Sequence, residues 1–355
     1  MKHWKLFLLI ILALQTAGCG GFVARSIARA PNRYPAWFSS EAPVTLAFNP
    51  KLLTNFVEHF VDIGPPPARL AYRIIDPGDY QFKVSSTNWL AGGKKEYEFH
   101  FHATVPGRTN AWTANPRGTV LLLHGYGEAQ FSMLPWAFPL AQDGWRCVLV
   151  DLRGHGDSTG KRVYFTVRET NDMNQLLTRL ARDKELVRPV SLMGESYGAV
   201  LALRLKSVDP QIHSVVAIAP FASLSNAVLN IREQYCDWVP KPMVRAGIKK
   251  LPSLLDIPAS EFDTTTVLRR KPVKALFIAG AEDDIAPPAE VKEDVALAAP
   301  GSVFIVVPEA THEALTYYFK DLLPVVLPWL NQTNDQSSSL AAPKRSESGS
   351  SLPAP

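Results

Sequence analysis

From residue 119 onward, short apolar runs alternate with longer stretches in which apolar residues recur at helical spacing. The runs at 119–123, 146–150, 190–193, 214–219, 273–279 and 303–307 have the length of strands. That alternation predicts an α/β fold, a mostly parallel sheet with helices on both faces. Two earlier runs, 80–84 and 96–104, predict an antiparallel edge to the same sheet. In the second, Phe99 and Phe101 alternate with His100 and His102, so both imidazoles share one strand face. That face is expected to be solvated rather than metal-binding, because the sequence offers no third ligand beside it.

Ahead of these runs the spacing changes. Asn49 can cap a helix, Pro50 suits its first turn, and Leu52, Leu53, Phe56, Val57, Phe60 and Val61 form one apolar stripe before Gly64. Residues 49–79 therefore read as an N-terminal helix and lead-in, with the stripe docked on the core. Residues 19–48, rich in Pro, Ser, Ala and Arg, read as a tether, and 331–355, rich in Ser, Pro and Ala, as a disordered tail. Between them, 80–330 reads as one domain, interrupted by an insert at about 221–270 that breaks the strand–helix alternation. A chain of 355 residues with 46% hydrophobic residues supports one sizeable core, and a net charge of +4 gives no support to nucleic-acid binding.

The chemistry is concentrated where apolar runs end. The run 190–193 leads into Gly194-Glu195-Ser196-Tyr197-Gly198, followed by helical spacing, which is the pattern of a serine on a sharp strand-to-helix turn. With a serine in that position the partner acid and then the histidine follow along the chain. Of the eight histidines only His312, in the loop after 303–307, lies far enough beyond the serine. The acid is expected in the loop after 273–279, where Glu282, Asp283 and Asp284 compete. His124-Gly125-Tyr126-Gly127 directly follows the run 119–123, so the backbone N–H groups of Tyr126 and of Tyr197 are the expected donors to an oxyanion.

Together, Leu123 to Gly127, Asp151 to Gly160, Gly194 to Gly198, Gly280 to Pro287 and His312 resemble the α/β-hydrolase superfamily over roughly residues 80–330. The stretch Asp151 to Arg162 is especially similar to the branch holding monoacylglycerol lipases, lysophospholipases and proline iminopeptidase-like enzymes. The resemblance implies Ser196 as nucleophile, His312 as base and Tyr126 and Tyr197 as the oxyanion hole. It also selects Asp283 as acid, with Asp284 in reserve, through the arrangement Gly-x-x-Asp-x-Ile-x-Pro. It makes the insert a helical cap, His155 a structural residue, and a serine at the turn a departure from haloalkane dehalogenases and epoxide hydrolases, which carry aspartate there. Glu195 stands where lipases frequently carry His or Gln.

The N-terminus has a basic start, an apolar segment from Leu6 to Leu14 too short to span a bilayer, and small residues before Cys19. It resembles a bacterial lipoprotein signal. The resemblance implies removal of residues 1–18, lipidation of Cys19 and a place in the cell envelope, at the outer membrane if the cell has one, because Gly20 rather than aspartate follows. The remaining cysteines, Cys147 and Cys236, are not expected to pair. The cap carries Tyr235, Trp238 and Leu254 together with Arg232, Lys241, Arg245, Lys249 and Lys250, so a lid admitting an acyl chain and facing anionic headgroups is expected.

The sequence thus leads to a membrane-tethered serine hydrolase acting on small-molecule or lipid esters through an acyl-enzyme, with no metal and no organic cofactor. An aminopeptidase or amidase would use the same groups, with Glu195 or Glu282 to hold a substrate amine. A lipid-binding or scaffold lipoprotein without turnover is the reading from outside enzymology.

Overall fold

The computed structural model describes residues 20–33, 44–91, 94–105 and 115–332. The expected signal peptide, Cys19 and most of the expected tail lie outside these residues. In chain order the elements are helix α1 at 20–27, strands β1 (Val44–Phe48), β2 (Glu58–Ile63), β3 (Ala68–Ile75), β4 (Gln81–Ala91), β5 (Lys94–Thr104) and β6 (Thr119–Leu123), and helix α2 (Leu134–Gln142). Then come β7 (Arg146–Val150), α3 (Val167–Arg182), β8 (Val190–Glu195), α4 (Tyr197–Val208), β9 (Ile212–Ile218), α5 (Leu224–Tyr235), α6 (Lys241–Leu255) and α7 (Thr264–Arg270). The chain closes with β10 (Leu276–Gly280), α8 (Pro288–Leu297), β11 (Val303–Val307) and α9 (Phe319–Asn331).

The main sheet has the order β11-β10-β9-β8-β6-β7-β3-β2 and is parallel from β11 to β7. Its strands are apolar on both faces, as a sheet covered by helices on both sides requires. Leu121, Val148 and Leu192 point to the side of α3 and α4, whereas Val120, Cys147 and Met193 point to the side of α2 and α9. Trp136 of α2 is fully buried on the second side, and its Nε1–H donates to the Thr316 carbonyl at 2.9 Å, pinning the segment that follows His312. Truncating such a residue to alanine costs about 3–5 kcal/mol.

The N-terminal part differs from the sequence reading. The apolar stripe at 52–61 does not form an α-helix: a 3-10 turn at Pro50–Asn55 is followed by β2, paired antiparallel with β3. Within β2, Val61 and Ile63 are buried while Phe60 and Asp62 are exposed, a period of two that the wider helical stripe had masked. The antiparallel edge of the main sheet is this β2–β3 hairpin. The runs at 80–84 and 96–104 instead belong to β4 and β5, a long antiparallel pair that builds a second sheet in the order β1-β5-β4. That sheet presents Phe101 to Phe138 of α2 and Phe99 to Tyr317, while His100 stays half-buried and His102 exposed.

The stretch read as a tether also has structure. Within its described residues it contains α1, whose Ala24 is buried, and β1. The Ala28 carbonyl accepts the Val163 N–H, and the Ala30 N–H donates to the Lys161 carbonyl. Between β9 and β10 the chain forms α5, α6 and α7. Cys147 is buried in β7, Cys236 follows α5, and both are free thiols.

Candidate active site

Parallel register brings the carboxyl ends of the strands to one rim. Leu123 pairs with Gly194, Glu195 with Ile218, and Gly280 with Val307, so the turns that follow β6, β8, β10 and β11 are neighbours. Ser196 sits at the end of β8 with φ 49° and ψ −110°, a conformation that is strained for a side chain with a Cβ. The backbone crosses itself closely here: a methyl on Gly198 would stand 2.2 Å from the Leu123 carbonyl oxygen, and one on Gly194 equally close to that of Gly198. Glycines on both sides of the serine are what permit the turn.

The three side chains singled out from sequence converge. The Ser196 hydroxyl donates to His312 Nε2 at 2.9 Å. His312 Nδ1–H donates to Asp283, 2.8 Å from Oδ2 and 3.0 Å from Oδ1. A carboxylate can only accept, which fixes the proton on Nδ1 and leaves Nε2 free to take one from the serine. Asp283 Oδ1 also accepts the N–H groups of Ile285 (2.9 Å) and Ala286 (2.7 Å), so the loop itself aims the carboxylate. Of its rivals, Asp284 is exposed and Glu282 is held by Lys95 at 2.7 Å.

Tyr197 is the first residue of α4, where backbone N–H groups have no acceptor within the helix. Tyr126 lies in the turn after β6, its ring 6.1 Å from that of Tyr197. Beneath this turn, His124 Nδ1–H donates to the Gly125 carbonyl at 2.8 Å, and His124 Nε2 accepts the Leu152 N–H at 3.0 Å. Both bonds need a neutral ring, and burial pushes the His124 pKa down to about 4. His155 is likewise buried, its pKa lowered to about 3 by burial and then by His124. Its ring packs against those of His124, Tyr126 and Tyr197. In the same loop, Arg153 forms a buried two-pronged ion pair with Asp172, each contact 2.8 Å.

A family model described as "Serine aminopeptidase, S33" matches residues 114–271, a span that includes Ser196 and stops short of Asp283 and His312. The esterase Pf2001 of Pyrococcus furiosus superposes with a TM-score of 0.57 at 20% identity, over 81% of this chain and 97% of that one. A hydrolase from Pseudomonas aeruginosa PA01 gives 0.52 at 18% identity, over 78% and 98%. The chain has the α/β-hydrolase fold.

In sequence, YqkD of Bacillus subtilis (strain 168) is 25% identical over 174 residues, 48% of the chain. The matched part is 56% of YqkD, so the chain spans little more than half the length of that relative.

Sequence reasoning missed one group at this site. Glu128 Oε2 accepts the Gly125 N–H at 3.0 Å and the Ser132 hydroxyl at 2.8 Å, tying down the turn that carries Tyr126. Its position three residues after Gly125 was the only available sign, because the bond closes a local turn. Burial raises the Glu128 pKa against the opposing pull of Ser132, Gly125 and the His312 charge. Glu195, considered above as an amine-holding group, is buried beneath the rim instead of lying at its mouth. Burial, then the charges of Glu128 and Glu313, push its pKa well above the usual carboxyl range. One of its oxygens has no hydrogen-bond partner. The carboxylates of Glu58, Asp151 and Asp157 also cluster, but they serve the fold: Arg73 pairs with Glu58, and Asp151 accepts from Gln130 and from the Asp157 N–H.

Proposed function

We propose that this protein is a serine hydrolase that cleaves carboxylic esters through an acyl-enzyme and is held at a membrane by a lipid on Cys19. The observation that carries the reading is the continuous chain from the Ser196 hydroxyl through His312 to Asp283. Ser196 Oγ attacks the ester carbonyl carbon while His312 Nε2 takes its proton, and Asp283 stabilises the imidazolium. The tetrahedral oxyanion is held by the N–H groups of Tyr126 and Tyr197. On collapse, His312 returns the proton to the departing alcohol, leaving the acyl group on Ser196. Water, deprotonated by the same imidazole, then releases the carboxylic acid and restores the hydroxyl.

The description of the matching family favours a second reading, an aminopeptidase. Such an enzyme needs an ionised carboxylate at the mouth of the site to hold a substrate amine. Glu195 is buried and its pKa is raised, which keeps it neutral, and Glu282 is engaged by Lys95. These surroundings favour the ester reading. The membrane reading rests on the sequence around Cys19; among the described residues no helix is long and apolar enough to cross a membrane.

A fluorophosphonate probe tests the nucleophile: the wild-type chain is expected to label and Ser196→Ala to stay blank. Turnover of p-nitrophenyl esters should fall about 10⁶-fold in that variant. p-Nitrophenyl esters of graded length, run against aminoacyl anilides, separate the two enzyme readings. Faster hydrolysis of the anilides overturns the ester assignment. An unlabelled wild type would favour a scaffold without turnover.

A further inference from the structure

Helix α1 is fastened to the cap. A methyl on Gly20 would stand 3.2 Å from the Ala246 side chain, and one on Gly247 would collide with Val23 at 2.5 Å, so α1 and α6 meet through small residues at backbone distance. Beyond α1, Ala28, Ala30 and Asn32 are hydrogen-bonded to Val163, Lys161 and Gly154 on the main body.

The outward side of these two helices has a consistent character. Helix α6 contains no acidic residue, and its exposed positions include Arg245, Lys249 and Lys250. Helix α1 exposes Arg25 and, at 66%, Phe22. Trp238, in the loop leading into α6, is 78% exposed. Cations interleaved with large exposed aromatics match a bilayer interface, where aromatic rings settle at headgroup level and basic side chains meet anionic phosphates. The cap is also joined to the catalytic loop, because the Tyr235 hydroxyl of α5 donates to Glu313, the residue after His312.

We propose that the face formed by α1, Trp238 and the outer side of α6 lies on an anionic lipid surface, with the lipid on Cys19 entering the bilayer beside it. The anchor then orients the enzyme with its cap against the membrane, in place of a tether that lets it wander. The orientation rests on the proposed lipidation; the affinity of the face for lipid does not.

The test uses residues 20–355, the chain without the acylated cysteine, and vesicles of equal parts phosphatidylglycerol and phosphatidylcholine or of phosphatidylcholine alone. The chain is expected to sediment with the anionic vesicles and to release as salt rises. Each basic residue at such a surface is worth about fivefold in binding, so Arg245→Glu, Lys249→Glu and Lys250→Glu together should weaken it at least about hundredfold. Turnover of p-nitrophenyl acetate in solution should be unchanged in that variant. Brominated lipid should quench wild-type fluorescence, and Trp238→Phe should lose that quenching. Equal binding by wild type and triple variant, equal binding to both vesicle types, or quenching that survives Trp238→Phe each overturns the proposal. Palmitate labelling of wild type against Cys19→Ser in cells tests the lipid anchor by itself: no label removes the anchor and leaves the vesicle results standing. Label without vesicle binding removes the face and keeps the anchor.

Discussion

Asp283 and Asp294 are both buried, lie on the same βα unit, and have opposite surroundings. Asp283 accepts two backbone N–H groups and the His312 ring. Asp294, on α8, has no partner for either oxygen, and the charges that act on it come from Glu293, Asp263 and Glu290. Burial first, and those carboxylates second, push its pKa up to about 8. Burial alone makes a carboxyl a neutral acid, and donors aimed at it make it a charge. Glu195 resembles Asp294 in this respect although it adjoins Ser196 in the chain. Only Asp283 has the surroundings needed to stabilise an imidazolium at His312.

The largest effect should come from removing that charge. Asp283→Asn keeps the size of the side chain but favours the wrong imidazole tautomer, and turnover of p-nitrophenyl esters is expected to drop about 10⁴-fold. The circular dichroism spectrum should not change. A drop of only a few-fold would mean that another carboxyl, with Asp284 the reserve, supports His312, and the contrast with Asp294 would lose its functional meaning.

The rim was legible because chemistry fixes which residue types follow which strand. Ser196, Asp283 and His312 each occupy the turn after an apolar run, and parallel register does the rest. The acid needed more than spacing, since the backbone donors of Ile285 and Ala286 that single out Asp283 exist only in the folded loop. The N-terminal half was less legible. The sequence of β2 satisfies a helical stripe as well as an alternating one, and pairing with β3 decides between them. Helix α1 was read as a tether for a related reason: the small residues that let it approach α6, among them Gly20 and Ala24, also make a stretch look like a linker.

Next in size is Glu128, which holds the Gly125 turn through a hydrogen bond to each of two donors. Glu128→Ala leaves the turn unbraced, and displacement of an oxyanion donor by about 1 Å costs on the order of 10²-fold. A fall of that order in kcat with little change in KM is expected, whereas Glu128→Gln, whose amide oxygen still accepts, should recover most of the loss. Equal damage from both variants would show that charge rather than bracing is what Glu128 supplies.

Asp294 offers a change in stability without a change in catalysis. Its folded pKa of about 8 lies above the ordinary value of 3.8. Between those values the native state keeps a proton that the unfolded chain has released, so the contribution to stability falls as pH rises from about 4 to about 8. Asp294→Asn removes the titration. Its Tm should exceed that of the wild type at pH 7.5, by an amount on the order of a few kcal/mol in unfolding free energy, and the advantage should vanish below pH 4. A variant whose advantage is the same at every pH would show that packing, not ionisation, distinguishes the two residues.

The smallest effect is expected at Glu195. A carboxyl kept neutral by burial, Glu128 and Glu313 differs little from an amide of the same shape, so Glu195→Gln should leave ester turnover within about threefold of wild type. The bond from the Thr316 hydroxyl can be made to the amide oxygen, which preserves the packing under His312. The same variant separates the ester and aminopeptidase readings. If Glu195 were the ionised partner of a substrate amine, Glu195→Gln would raise KM for aminoacyl anilides by an order of magnitude or more while sparing p-nitrophenyl esters. Parallel, small changes on both substrates place Glu195 with Asp294, as a neutral acid under the site.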